Sequence, residues 1–250
     1  MVGQHIAVWF SCGAASAVAA KLAVEKYGKD NVVSVVNNPV AEEHEDNLRF
    51  LNDVAEWLGV PIQLATHDKY PSTKCEDVWR DRKYMAGING APCTMILKKQ
   101  ARQQWEIENP VDWHVLGFTA EESKRHDRFT MTERENVLPL LIEAGFTKQD
   151  CMDTLVAAGI EPPAIYGMGY PNANCIGCVK ATSPTYWNLV RETFPEVFDA
   201  RAKMSREYGC KLTRHKGKRL FLDELPADAK GAPLKTMNIE CGIFCEEKDQ

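Results

Sequence analysis

The sequence predicts an α/β protein built on a doubly wound, mainly parallel sheet, with a C-terminal helical and irregular extension. Three observations predict it. Short apolar or β-branched runs recur at residues 6–10, 31–38, 61–67 and 113–118. Segments of helical periodicity fill the intervals between them, and several of those segments stop at a glycine. Strands separated by helices need crossover connections, which are right-handed and cover a parallel sheet on both faces.

Residues 6–10 (IAVWF) form the first strand, SCGAASA a tight loop, and AVAAKLAVEKYG a helix ending at Gly28. NVVSVVNN (31–38) is β-branched enough for a buried strand, and EDNLRFLNDVAEWLG (45–59) is an amphipathic helix with Gly59 as its stop. PIQLATH is the third strand. Helical segments around 74–85 and 94–105 lead to the fourth, WHVLGF (113–118). After residue 130 the texture changes. ENVLPLL, a polar turn and a helix over 149–158 precede GIEPPAIYGMGYPNANCIGC, whose prolines and glycines preclude long regular elements. Residues 183–209 read as helix, break, helix; a basic turn, KLTRHKGKR (211–219), a Pro/Ala/Lys linker and the tail IECGIFCEEKDQ complete the chain.

Composition narrows the function classes. With 250 residues, 44% hydrophobic and 26% charged, the chain is globular rather than disordered, collagenous or coiled-coil. A net charge of -5 excludes a generally basic nucleic-acid binder, but leaves room for a local patch such as 211–219, with six basic side chains in nine residues. Nine cysteines are an odd number, so full internal pairing is impossible. No basic N-terminal region precedes an apolar stretch, and no run approaches the ~20 apolar residues of a membrane span. A cytoplasmic, thiol-reducing setting is expected, where clustered cysteines mean metal binding or catalysis.

Two stretches carry the chemistry. Small residues between a strand and a helix let backbone N–H groups approach a phosphate, and Ser11, Cys12, Gly13 and Ser16 fit that role. Cys175 and Cys178 form a C-x2-C in a Gly/Pro-rich loop, a spacing that converges two thiolates on one metal or cluster. His44, His67 and His114 show no ligand spacing among themselves and are expected to be structural. Cys75, Cys151 and Cys210 match no motif and are expected to be small buried side chains.

The first loop resembles the SGGxDS pyrophosphate loop of the adenine nucleotide alpha-hydrolase (PP-loop) superfamily, with Cys12 for the second glycine and Ala15 for the aspartate. The stretch from Pro139 to Cys178 resembles the PL..WT..D...Y....IP..PLY..GY....C..C segment of phosphoadenylyl sulfate (PAPS) reductases. It matches at Pro139, Leu140, Thr147, Asp150, Ile160, Pro163, Tyr166, Gly169, Tyr170, Cys175 and Cys178. LGFTAEESKRHDRF resembles the family's GxRxxES.xR substrate loop through Gly117, Glu122, Ser123 and Arg125, with Thr119 where an arginine is usual. APCTMILKKQA resembles the CC..RK..PL element with Cys93 in place of the cysteine pair, and IECGIFC resembles the ECGLH tail with Phe244 for the histidine.

The resemblance implies a Rossmann-like fold of the adenine nucleotide alpha-hydrolase type. Residues 1–180 would be the nucleotide-binding domain including the Cys-rich loop, and 181–250 an extension packed on it. It further implies an oxidoreductase of sulfur metabolism in which the Cys241 thiolate attacks the sulfur of PAPS or adenylyl sulfate. A thiol reductant such as thioredoxin then releases the product. Arg125 is expected to assist catalysis, Lys98, Lys99 and Arg128 to neutralise sulfate and phosphate oxygens, and Gly117, Glu122 and Ser123 to line the nucleotide site. A 4Fe–4S cluster is expected on Cys93, Cys175 and Cys178, with Cys241 as a candidate fourth ligand; structural zinc on Cys175, Cys178, Cys241 and Cys245 is the metal alternative. Two other functions stay open. One is an ATP- and Mg²⁺-dependent sulfurtransferase that takes sulfur from a donor and thiolates RNA or DNA, reached through 211–219. The other is a non-catalytic nucleotide-binding module. No membrane partner is expected, and the family often forms dimers or larger assemblies.

Overall fold

The computed structural model describes residues 4–29, 32–87 and 90–234. Its elements are, in order, β1 (Ile6–Trp9), α1 (Ala14–Tyr27), β2 (Val32–Asn37), α2 (Asn47–Leu58), β3 (Ile62–Leu64), α3 (Cys75–Arg82), a π-helical segment (Thr94–Gln100), α4 (Ala101–Glu108), β4 (Trp113–Val115), α5 (Ser123–Thr132), β5 (Val137–Leu138), α6 (Leu140–Glu143), α7 (Lys148–Ala157), α8 (Ala164–Gly167), α9 (Pro184–Thr193), α10 (Pro195–Glu207), β6 (Thr213–His215) and β7 (Lys218–Leu220). They fall into two compact units. Unit 1 holds Met1–Pro39, Glu45–Ala65 and Arg102–Tyr166; unit 2 holds Val40–His44, Thr66–Ala101 and Gly167–Gln250.

Unit 1 is a five-stranded, all-parallel sheet in the order β3-β2-β1-β4-β5 with flanking helices, a doubly wound Rossmann-like fold. β1 is buried along its whole length, as a central strand covered on both faces must be. Ile6, Val8 and Phe10 join the core formed with α1, α2 and α7. Trp9 meets Trp105 of α4, with ring centroids 5.4 Å apart. Buried Ala17, Ala20 and Ala23 give α1 a flat contact face. In α2, Phe50, Val54 and Leu58 recur every four residues and are buried, which puts them on one stripe. Arg49 pairs with Asp46, at the N-cap position of the helix, and with Asp53 one turn on, both at 2.6 Å. Gly59, with φ +61°, closes it.

The strand order reverses beside β1: the chain runs from β1 through β2 to β3, then returns to place β4 on the other side. In open parallel sheets, ligands bind at the carboxyl ends of the strands flanking such a reversal. Those ends carry the β1–α1 loop and Gly117.

Unit 2 is assembled from short pieces. Pro184 and Pro195 occupy first-turn positions of α9 and α10, where a missing N–H leaves no helical bond unmade. The predicted break lies at Phe194, between the two helices. Tyr186, Trp187, Val190 and Phe198 form their buried face. The basic turn is a hairpin of β6 and β7, whose Lys216 (φ +47°) and Gly217 (φ +78°) supply the left-handed pair that a two-residue connection favours. Its Lys and Arg side chains are exposed.

The domain boundary expected at 180 falls inside unit 2. The C-x2-C loop is tied there by Tyr186 of α9, and the N-terminal stretch 40–44 and the segment 66–101 group with it. No described helix is long and apolar enough to cross a membrane.

Candidate functional site

In unit 1 the first loop folds on itself. Ser11 N–H donates to Ser16 Oγ at 3.1 Å, the two hydroxyls lie 3.2 Å apart, and the Ser16 hydroxyl donates to the Gly13 carbonyl at 2.9 Å. Gly13 opens the fourteen-residue α1, so the free N–H groups of its first turn face the same loop. Cys12 is buried at φ +54°, a left-handed conformation that suits the glycine of the resembled motif better than a cysteine. The Asn37 amide donates to the Phe10 carbonyl at 2.9 Å and lies 3.5 Å from Cys12 Sγ, anchoring the turn from below. Gly117 presses on this turn: a Cβ there would lie 2.8 Å from Ser16 N and 3.0 Å from the Ala15 carbonyl carbon.

The loop after β4 is braced internally. Glu122 accepts from Thr119 N–H at 3.3 Å and pairs with Arg125 at 2.6 Å, while the Arg125 guanidinium lies 5.3 Å from the Phe118 ring centroid. Arg125 thus stands charge-compensated, and Ser123 is the first residue of α5. One residue beyond the predicted set reaches the first loop, and a second lies over its ring. The Tyr166 hydroxyl is 3.4 Å from where a Gly13 Cβ would be, and Lys148 Nζ is 5.7 Å from the Tyr166 ring centroid. Burial lowers the Lys148 pKa, with Glu122 and Glu121 opposing. Tyr166 was within reach of sequence reasoning, since it matches the PAPS-reductase-like segment; Lys148 carried no such signal.

In unit 2, Cys75, Cys93, Cys175 and Cys178 line one pocket together with Lys98 and Arg201. All four cysteines are buried, and none of the seven described cysteines is in a disulfide. Cys75 is the first residue of α3, and Cys93 directly precedes the π-helical segment, a geometry that recurs at functional sites. The Glu42 carboxylate accepts from Cys75 N–H at 2.9 Å and Glu76 N–H at 3.3 Å, and its carbonyl accepts from Ile176 N–H at 2.8 Å. One residue therefore ties the start of α3 to the C-x2-C loop. The buried Tyr186 hydroxyl accepts from Cys178 N–H at 2.8 Å and donates to the Cys175 carbonyl at 3.3 Å. Burial raises its pKa well above the ordinary phenol value, which keeps it a donor.

The neighbouring Cys175 and Cys93 thiols, with burial, hold the Cys75 pKa well above its usual value. Cys75 is buried, as expected, and it also lines the pocket of the three expected cluster ligands. Cys151 and Cys210 do pack. Burial pushes Cys151 up to about 12, and Cys210 Sγ lies 3.5 Å from Met85 N. Lys98, expected at phosphate, is buried in unit 2, pairs with Glu43 at 3.2 Å and lines the thiol pocket. Lys99 is half-buried on the same segment, and Arg128 lies on α5 in unit 1. Cys241 and Cys245 lie outside the described residues.

Among the described residues, no three His, Cys, Asp or Glu side chains stand at ready-made metal-ligating spacing. The donor set nevertheless fits an iron–sulfur group: four buried soft sulfurs with a cation beside them. Two polar atoms at the pocket also lack partners. Trp79 Nε1 and Arg201 Nε are buried without a hydrogen-bond acceptor, although Arg201 donates to Glu76 at 2.6 Å and stacks 4.7 Å from the Trp79 ring centroid.

Gly177 sits between the C-x2-C cysteines at φ +65°, and a Cβ there would lie 2.9 Å from Val197 Cγ1. Gly177→Ala is expected to destabilise the protein by about 2 kcal/mol, from left-handed strain plus overpacking. Urea unfolding measures it, and an unchanged midpoint would show that the loop relaxes freely.

No family model matches the chain, and no curated protein matches it. Fold and sites together define a doubly wound α/β protein with a tight Ser- and Gly-containing turn after its first strand in one unit and a four-thiol pocket in the other.

Proposed function

We propose that the protein is a PAPS-reductase-like enzyme that binds an adenylyl sulfate nucleotide and reduces its sulfur. The supporting observation is the β1–α1 turn, held against Gly117 at the strand-order reversal, where the first turn of α1 begins. The backbone N–H groups around Gly13 and the Ser11 and Ser16 hydroxyls receive phosphate oxygens, and the α1 dipole favours their charge. Lys148 adds a cation over the Tyr166 ring, while Glu122 holds Arg125 in place.

The Cys241 thiolate attacks the sulfate sulfur. The bond from that sulfur to the bridging oxygen breaks, and its electron pair leaves with the nucleotide. A dithiol reductant then attacks Cys241 Sγ with one thiolate, expels sulfite with the electron pair of the broken S–S bond and forms a mixed disulfide; its second thiol displaces the Cys241 thiolate and closes the reductant's own disulfide. A 4Fe–4S cluster on Cys93, Cys175 and Cys178 would supply redox-active iron to this sulfur chemistry.

The exposed basic hairpin favours a second reading, ATP-dependent thiolation of a nucleic acid, whose backbone contacts would weaken with salt. One experiment separates them. Anaerobically purified protein is offered PAPS, adenylyl sulfate with thioredoxin, or ATP with Mg²⁺, and sulfite, AMP and pyrophosphate are measured. Sulfite release that falls by about 10³-fold or more in Cys241→Ser supports reduction. Pyrophosphate without sulfite supports thiolation, and nucleotide-dependent thermal stabilisation without turnover leaves a binding module.

A further inference from the structure

The four-thiol pocket holds more than the sequence assigned to it. Three cysteines were expected there, with the fourth ligand position open to Cys241. Cys75 lines the same pocket as Cys93, Cys175 and Cys178 from a different element, the first turn of α3. Its position is set by backbone, because Glu42 takes the Cys75 N–H and the Ile176 N–H of the C-x2-C loop together.

The second observation is independent of the sulfurs. A buried N–H without an acceptor costs about 1–3 kcal/mol, so two at one pocket call for an acceptor. Trp79 Nε1 and Arg201 Nε are such donors, and both residues line the thiol pocket. Thiols are weak acceptors, whereas thiolates and inorganic sulfides carry negative charge and accept well.

We infer that Cys75 is the fourth ligand of an iron–sulfur cluster in unit 2, and that Trp79 and Arg201 donate their N–H groups to its sulfurs. Each thiol releases one proton to solvent as its sulfur binds iron. Lys98 and Arg201 offset part of the negative charge that four thiolates bring. The inference rests on the cluster named under the proposed function, but not on the nucleotide reaction. Cys241 is thereby left to its role as nucleophile.

The test uses the full chain, purified anaerobically and reconstituted with ferrous iron and sulfide. Wild type is expected to bind about four irons per chain. Cys241→Ser keeps that iron and sulfide content, and Cys75→Ser loses at least half of it with far-UV circular dichroism unchanged. Wild type that takes up one zinc and no iron overturns the inference. So does a Cys75→Ser protein with wild-type iron, or a Cys241→Ser protein that loses it. Trp79→Phe leaves all four thiols in place and covers the case in which Cys75→Ser fails to fold. It is expected to keep its iron while its reduction potential falls, because N–H donors to sulfur favour the more negative, reduced state. An unchanged potential overturns the assignment of the donor. A cluster intact in a protein that releases no sulfite would remove the proposed reaction and leave this site standing.

Discussion

Gly117→Ala is expected to weaken binding of adenylyl sulfate and of AMP about 100-fold and to destabilise the protein by about 2–3 kcal/mol. The three nearest atoms that the new methyl would meet all belong to backbone: Ser16 N at 2.8 Å, with the Ala15 carbonyl carbon and Ser16 Cα at 3.0 Å. A flexible side chain could swing aside, but the first turn of a helix cannot. Either the chain leaving β4 or the start of α1 must retreat by several tenths of an ångström. That shift opens the hydrogen bonds from Ser11 to Ser16 that shape the turn. Calorimetric titration and urea unfolding read the two effects separately. Gly167→Ala serves as the control, since a Cβ there meets nothing within 4 Å, and it should leave both within experimental error. If Gly117→Ala binds nucleotide as wild type does, the turn beside it is not the phosphate site.

The sheet was legible in the sequence because its signals are local. The run NVVSVVNN and the stops at Gly28 and Gly59 each act within a few residues, and β2, α1 and α2 follow them. β5 is only Val137–Leu138, too short for any periodicity to register, and the π-helical stretch after Cys93 has the same apolar pattern as an α-helix. The site divides along the same line. Cys175 and Cys178 are legible because two residues separate them, and the β1–α1 loop because it joins one strand to the next helix. Cys75 is not, because it reaches those thiols only through the tertiary fold, by way of Glu42 and the start of α3. Lys98 shows the converse. Its motif suggested an anion ligand, but burial forced a partner on it, and Glu43, far upstream, supplies one. Chain order likewise suggested a cut at 180, whereas three separated segments make up unit 2.

Acid should unfold the protein partly through one side chain, His114. Its imidazole is 1% exposed, accepts the Trp9 indole N–H at Nδ1 at 3.0 Å and touches the Arg134 guanidinium at Nε2. Burial first, then Arg134 and Arg102, push its pKa down to about 3. In the unfolded chain the same group titrates near 6.5. Between those values the unfolded state binds the proton and the folded state does not. The contribution of His114 to stability is therefore complete above about pH 6.5 and drains away as pH falls toward 3, at about 1.4 kcal/mol per pH unit. His114→Gln keeps an acceptor for Trp9 and cannot titrate. It should be less stable than wild type at pH 8, and its deficit should shrink by about 3 kcal/mol between pH 7 and pH 4. Carboxylates lose stability equally in both proteins, so the difference between two urea-unfolding series isolates the histidine. Parallel curves would mean that the imidazole takes up its proton inside the fold. The cations around it, held by Glu106 at 2.9 Å from Arg134 and 3.3 Å from Arg102, argue that it stays neutral.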